Sequence, residues 1–269
     1  MNIESIAERV EKIDSGYYRA TGITENISYT HEGHQKIEKS ESESFWFRHR
    51  GRCIQAIIRN FPSEAIADVG GGNGKVSRMI QGMGVESLLI EPVQYATDVA
   101  WKNGQKYLIQ GTMESSGIKA GSLPAIGLFD VLEHIKNDTD FLRQVHTALT
   151  PGGILYLTVP AYQFLYSNFD SSVGHFRRYR LRELKDKMWQ AGFQVEFASY
   201  LFLPLPLPML IRKMRKQPVA VTPSDHVKTN TFLGKVLLFI LSPERVFIQR
   251  KWKVPLGSSC ILVARKKLV

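Results

Sequence analysis

From Ala65 onward, short β-like runs alternate with helical stretches, a pattern that calls for a mainly parallel sheet with helices on its faces. Ala65 to Val69 reads as the first strand, followed by Ser87 to Ile90, Lys106 to Gln110, Ala125 to Phe129, Gly153 to Val159 and Gln194 to Ser199. Ser258 to Lys266 closes the series as a seventh. Residues 200–257 lie between the last two strands, far more than an ordinary connection uses, so an inserted element is expected there. Upstream, Ile3, Ile6, Ala7, Val10 and Ile13 recur at helical spacing, which predicts an amphipathic helix over residues 3–13. A second helix is expected from Phe45 to Asn60, stopped by Phe61-Pro62 because the residue before a proline is pushed out of the helical region. The chain thus divides into an N-terminal helical arm or lid (1–62), an α/β core (63–200 and 258–269) and an insertion (201–257).

With 269 residues and 43% hydrophobic content the chain can bury one sizeable core, which excludes a disordered or disulfide-stapled class. Cys53 and Cys260 are too few for a structural zinc site or a disulfide framework and fit a reducing, cytoplasmic setting. The opening residues carry early acids and no apolar block, so they do not read as a secretory leader. The longest apolar run, Tyr200 to Ile211, is broken by Pro204, Pro206 and Pro208, whereas a spanning helix needs about 20 residues. Net charge is +10, but its position matters more than its size. Residues 1–200 hold 22 basic and 23 acidic residues, and residues 201–269 hold 13 and 2. The whole excess belongs to the last quarter.

The first strand runs into Asp68-Val69-Gly70-Gly71-Gly72-Asn73-Gly74, and a helix follows from Lys75. Glycines there let the backbone turn tightly and approach a ligand, while the helix start offers unpaired N–H donors. The second strand ends on Glu91, where a carboxylate can accept from both hydroxyls of a ribose. A dinucleotide fingerprint starting at Gly70 needs glycine at position 75, which is Lys75, so a nicotinamide dehydrogenase is disfavoured.

The D-x-G-x-G-x-G run headed by Asp68 resembles that of the class I S-adenosylmethionine-dependent methyltransferases. The resemblance continues in order through Gly111-Thr112-Met113-Glu114, Phe129-Asp130-Val131-Leu132-Glu133-His134-Ile135 and Leu149-Thr150-Pro151-Gly152-Gly153, over roughly residues 45–200. It implies a Rossmann-like α/β fold of seven strands in the order 3-2-1-4-5-7-6, the last antiparallel, with S-adenosyl-L-methionine over the carboxyl ends of the strands and S-adenosyl-L-homocysteine as product. By the same resemblance Gly70, Gly71, Gly72 and Gly74 line the methionine part, Asp68 orders the loop or meets the amino group, and Glu91 with Pro92 holds the ribose. Thr112 and Met113 flank the adenine, and Phe129, Asp130, Val131 and His134 border the sulfonium. Many relatives carry Asp where Thr112 stands, which makes the adenine contact the weakest of these matches.

Methyl transfer from a sulfonium is an in-line displacement of an already activated donor, so alignment and exclusion of water suffice, and no metal is expected. A hydroxyl acceptor must also lose a proton, and a histidine near neutrality suits that task. His134 and His175 compete for it, His134 also being placed to hold the turn or the cofactor. Gly174-His175-Phe176-Arg177-Arg178-Tyr179 looks like the G-H-x-R-R-Y segment of a bacterial subgroup acting on envelope or secondary-metabolite substrates. Arg177 and Arg178 either clamp an anionic substrate group or pair with acids and cap the helix from Leu181 to Ala191, with Tyr179 beside them. His31 and His34, in the polar arm, read as solvated, and Phe45-Trp46-Phe47-Arg48-His49-Arg50 as a lid or a docked helix.

Residues 200–257 alternate apolar and cationic blocks, with Arg212 to Lys216 and Arg250 to Lys253 beside the apolar stretch Phe232 to Leu241. Two helices are expected, the first capped near Thr229 to Thr231 and the second opened by Ser242-Pro243-Glu244. Two readings stand side by side: a substrate cap, or an interfacial surface that meets an anionic membrane or a lipid-linked acceptor. A nucleic-acid methyltransferase or binding module is disfavoured, because the Pro-Pro-aromatic motif of base-amino methylases is absent from the fourth strand and aromatic and basic residues are not interleaved. O-methylation of a small-molecule or lipid-linked acceptor is the expected activity. The acceptor's identity and the oligomeric state are not legible in the sequence.

Overall fold

A computed structural model describes residues 1–22, 44–214 and 228–267; His31, His34, Arg215 and Lys216 lie outside them. The strands are β1 (Val10–Asp14), β2 (Tyr17–Ala20), β3 (Ala65–Val69), β4 (Glu86–Glu91), β5 (Tyr107–Gln110), β6 (Leu123–Phe129), β7 (Leu149–Pro160), β8 (Phe193–Leu201) and β9 (Ser259–Lys266). They form one sheet in the order β1-β2-β5-β4-β3-β6-β7-β9-β8. Strands β3 to β9 reproduce the expected 3-2-1-4-5-7-6 order, with β9 antiparallel to both β7 and β8.

The helices are α1 (Phe45–Asn60), α2 (Lys75–Gln81), α3 (Gln94–Lys102), α4 (Asp138–Ala148), α5 (Asn168–Ser172), α6 (Leu181–Gln190), α7 (Pro206–Met214) and α8 (Phe232–Gln249). Central strands read as continuous apolar runs because both faces are covered. Along β3, Ala67 and Val69 face a core that includes Leu142 and Val145 of α4 and Leu184 and Met188 of α6. Ile66, on the opposite face, packs in a second core with Ile54, Ile57 and Ile58 of α1 and Leu241 and Ile248 of α8. Each fully buried valine, leucine, isoleucine or methionine among them contributes about 1.5–3 kcal/mol.

Residues 3–13 do not form the expected helix. Ile3, Ile6 and Ala7 are buried, but from a turn whose backbone pairs with the loop before β6: Glu8 N–H donates to Gly117 O, Arg9 N–H to Ser116 O and Lys119 N–H to Ile6 O. The chain then forms a β1–β2 hairpin, and β2 adds to the sheet edge parallel to β5, with Tyr17 opposite Leu108. The helical spacing of the apolar residues therefore arises from a turn and a strand in succession. Gly16 makes the hairpin turn at φ +91, and a Cβ there would lie 2.1 Å from Lys106 O.

The insertion also differs from expectation: α8 is a single helix with Pro243 inside it. Proline removes the N–H that would reach Phe239 O, and the Ser242 hydroxyl donates to that carbonyl instead at 2.7 Å. Thr231 caps the helix, accepting from Gly234 N–H at 3.1 Å. Glu244, buried on α8, accepts from Phe202 N–H at 2.8 Å and Leu203 N–H at 2.6 Å and meets His49 Nε2 of α1 at 2.9 Å. These bonds join the insertion to the arm helix and to the chain leaving β8. Among the described residues no helix is long and apolar enough to cross a membrane.

Candidate functional site

The carboxyl ends of β3, β4 and β6 converge on one side of the sheet, and the glycine-rich turn lies there. Gly70, Gly72 and Gly74 have φ of +70, +54 and +69, the left-handed region that side chains avoid. Gly71 is needed for space, since a Cβ would lie 2.4 Å from Asp68 Oδ2 and 2.7 Å from Leu89 Cδ1. Glu91 fastens the turn: Gly72 N–H donates to its Oε2 and Val93 N–H, just beyond Pro92, to its Oε1, each at 3.0 Å. Burial pushes the Glu91 carboxyl up to about 7, against the pull of those two donors. Asp68, fully buried, is likewise pushed up to about 6 by burial while Ser77 Oγ donates to its Oδ2 at 2.7 Å. Asp68 Oδ1 has no hydrogen-bond partner among the described residues.

Thr112 is engaged locally. Its Oγ1 accepts from Ser115 N–H at 3.0 Å and lies 3.1 Å from Ser115 Oγ, an arrangement that shapes the turn after β5, while the neighbouring Met113 is buried.

At the end of β6, Asp130 is a non-glycine residue at φ 61, a strained conformation that persists only where surroundings enforce it. They do so here: Thr158 Oγ1 donates to Asp130 Oδ1 at 3.0 Å, and Arg50 Nε of α1 lies 2.8 Å from Asp130 Oδ2. Arg50 also donates from Nη2 to Phe129 O at 2.7 Å. Val131 packs against Gly70, 3.0 Å from where a Cβ would stand. Arg50 was legible only as part of the aromatic and basic segment, and its partner is 80 residues away in sequence. A cleft of about 230 Å³ opens beside the turn, lined among others by Arg48, Arg50, Arg52, Lys75 and Phe47.

Beyond Val131 the chain makes a short turn, Leu132–His134, and the G-H-F-R-R-Y segment closes over it. Phe176 N–H donates to Glu133 O at 2.8 Å, Arg177 Nη2 to Lys136 O at 2.7 Å and Tyr179 OH to Leu132 O at 3.2 Å. The rings of His134 and His175 meet edge to face at 4.7 Å. His175 Nδ1 lies 2.9 Å from Asp170 Oδ1, and Arg178 grips the same carboxylate from Nε at 2.8 Å and Nη2 at 3.0 Å. Burial raises the Asp170 carboxyl, but the His175 and Arg178 contacts outweigh it and hold it at about 2. Arg177 pairs with Asp138 at 3.0 Å, and Tyr179 OH donates to Asp138 Oδ2 at 2.9 Å. Both arginines thus point at internal acids, and at the start of α6 the backbone N–H of Arg180, in the N-cap position, donates to Glu183 Oε2 at 3.1 Å. Asp138, Asp170 and Glu133, which the sequence reading did not single out, organise this face.

Against known proteins, residues 45–197 match the model of a methyltransferase domain. The chain belongs to the methyltransferase domain family. This methyltransferase is 21% identical over 173 residues to a probable S-adenosylmethionine-dependent methyltransferase of Mycolicibacterium smegmatis, covering 61% of this chain and 65% of that one. A ubiquinone biosynthesis O-methyltransferase of Xanthomonas oryzae is 27% identical over 99 residues, covering 35% and 41%. The chain therefore spans less than two thirds of the length of either curated relative. The solved structure of Haemonchus contortus phosphoethanolamine N-methyltransferase 2 in complex with S-adenosyl-L-methionine shares the fold, with a TM-score of 0.59 at 16% identity, over 92% of this chain and 61% of that one.

Proposed function

We propose that this methyltransferase transfers a methyl group from S-adenosyl-L-methionine to a hydroxyl of a small-molecule or lipid-linked acceptor. The observation that carries the reading is the junction of Gly72 and Glu91: a glycine turn and a strand-end carboxylate held together at 3.0 Å at the carboxyl ends of adjacent parallel strands. Gly70, Gly71, Gly72 and Gly74 are the residues to border the methionine part, with Asp68 and its orphaned Oδ1 beneath them. Glu91 and Pro92 are assigned to the ribose, Thr112 and Met113 to the adenine, and Phe129, Asp130 and Val131 to the sulfonium end. The bound cofactor supplies an activated methyl group; the protein supplies alignment and a dry site. Buried backbone-bonded carboxylates, a turn with no room for a Cβ, and an orphaned acceptor all fit such a ligand.

Glu133, His134 and His175 form the acceptor side, where the acceptor hydroxyl loses its proton, while Arg177, Arg178 and Tyr179 act as positioning residues through Asp138 and Asp170. The O-methyltransferase relative favours oxygen as the acceptor atom. A lipid-linked acceptor draws support from α8, where Phe232 and Phe239 are 84% and 80% exposed on a helix that also carries exposed Lys235 and is followed by exposed Arg250. The same face suits peripheral contact with the inner side of an anionic membrane. Calorimetry with S-adenosylhomocysteine tests the donor half of the proposal, and co-sedimentation with vesicles of rising anionic lipid content tests the membrane contact; no S-adenosylhomocysteine binding refutes the first, and partitioning indifferent to lipid charge refutes the second.

A further inference from the structure

We propose that Glu133, His134 and His175 form a binding site for one divalent first-row transition cation. Each offers one ligand atom, and the three atoms lie within 4.8 Å of one another. Ligand atoms bound at about 2.1 Å to a tetrahedral cation stand about 3.4 Å apart, so the three atoms must draw together by up to about 1.4 Å to hold an ion.

Two independent observations point the same way. The first is Glu133 itself, fully buried, with neither carboxylate oxygen hydrogen-bonded among the described residues. A carboxylate removed from water without donors is costly and calls for a positive partner in contact with it. His175 Nε2 is 3.9 Å from Glu133 Oε1, too long for a hydrogen bond yet ample for a shared ion. The second is the support behind His175. Its Nδ1 is engaged by Asp170, which Arg178 and Ser167 lock in turn, so Nε2 is the nitrogen left facing Glu133. A carboxylate behind a histidine, fixing ring orientation and tautomer, is the usual outer arrangement of metal-ligating imidazoles.

The donor set selects the class of ion. Two imidazoles and one carboxylate suit zinc, cobalt, iron or manganese, whereas magnesium and calcium prefer all-oxygen shells. Three protein ligands also leave a position open for water or an acceptor oxygen. This inference deepens the proposed function, because it rests on this face receiving the acceptor. A coordinated hydroxyl loses its proton to water more readily, and its oxygen then bonds the methyl carbon as the carbon–sulfur bond breaks and sulfur keeps the electron pair.

The test is a Co2+ titration of the untagged, chelator-treated full chain, followed by visible absorption and by Zn2+ competition. One Co2+ per chain is expected, displaced by Zn2+ but not by Mg2+, with at least about tenfold weaker binding in Glu133→Gln and in His175→Ala. Zn2+ should also raise the melting temperature of the wild-type chain and not of these variants. Absence of stoichiometric Co2+ binding by the wild-type chain overturns the proposal whatever the variants do, and so does equal binding by all three proteins. S-adenosylhomocysteine calorimetry on the same chelated protein separates this outcome from the donor reading: a chain that binds S-adenosylhomocysteine but no cobalt refutes only the cation site, and one that binds cobalt but no S-adenosylhomocysteine refutes only the methyl-donor site.

Discussion

The Asp170 carboxylate receives the Arg178 guanidinium on both oxygens while also touching His175 Nδ1, so one buried acid fixes the position of the histidine that faces the candidate acceptor site. Replacing Asp170 by Asn leaves Arg178 buried without a counter-charge. The expected cost is about 3–5 kcal/mol, read from urea denaturation, and any residual folded protein should show a mobile His175 ring by NMR. The folded-state value of about 2 lies below the ordinary carboxylate range, so this pair's stability is present above about pH 4 and is lost as pH falls toward 2.

Glu91 has the opposite sign. Its folded value of about 7 lies above that of an unfolded glutamate, so the group weakens the fold progressively as pH rises from about 4.5 to 7. Ribose hydroxyls donate best to the ionised form, and S-adenosylhomocysteine affinity should therefore rise by about tenfold between pH 6 and 8. Glu91→Gln should bind more weakly and without this pH dependence, as calorimetry at both pH values will show.

At Gly71 the added methyl of an alanine would press on both Asp68 and Leu89. Gly71→Ala should destabilise the chain by about 1–3 kcal/mol in chemical denaturation and weaken S-adenosylhomocysteine binding, because the turn must shift away from Glu91.

Pro243 sits inside α8, and Ser242 Oγ meets the carbonyl that proline leaves without its helical donor. Pro243→Ala restores the backbone bond and should stabilise the chain by up to about 3 kcal/mol. In that background Ser242→Ala should be nearly neutral, whereas in the wild-type chain it should cost up to about 1 kcal/mol, a coupling that a double-mutant cycle measures.

The core was legible because its signals are local. Pro62 ends α1, the glycines mark the turn after β3, and β6 and β7 are apolar on both faces. The N-terminal hairpin was not, because what makes Tyr17 and Tyr18 a strand is the edge of β5, which supplies their backbone partners. Ile3, Ile6 and Ala7 carried a helical spacing that the loop at 116–119 overrides. In the insertion, Pro243 read as a helix start, since sequence alone does not show Ser242 closing the gap it opens. At the site, the glycines, Glu91 and the histidines were visible in their motifs, but Arg50 with Asp130 and Arg178 with Asp170 emerge only once the chain folds. The segment bearing Arg177 and Arg178 offered either a substrate clamp or internal pairing, and their distances to Asp138 and Asp170 show internal pairing.

The most direct measurement is calorimetric titration of the full chain with S-adenosylhomocysteine, in the wild type and in Glu91→Ala. One molecule bound per chain, with at least about tenfold weaker binding in the variant, is the expected result, tenfold corresponding to about 1.4 kcal/mol. No heat of binding in the wild type, or equal affinity in both proteins, would contradict a methyl-donor site built on the ends of β3 and β4.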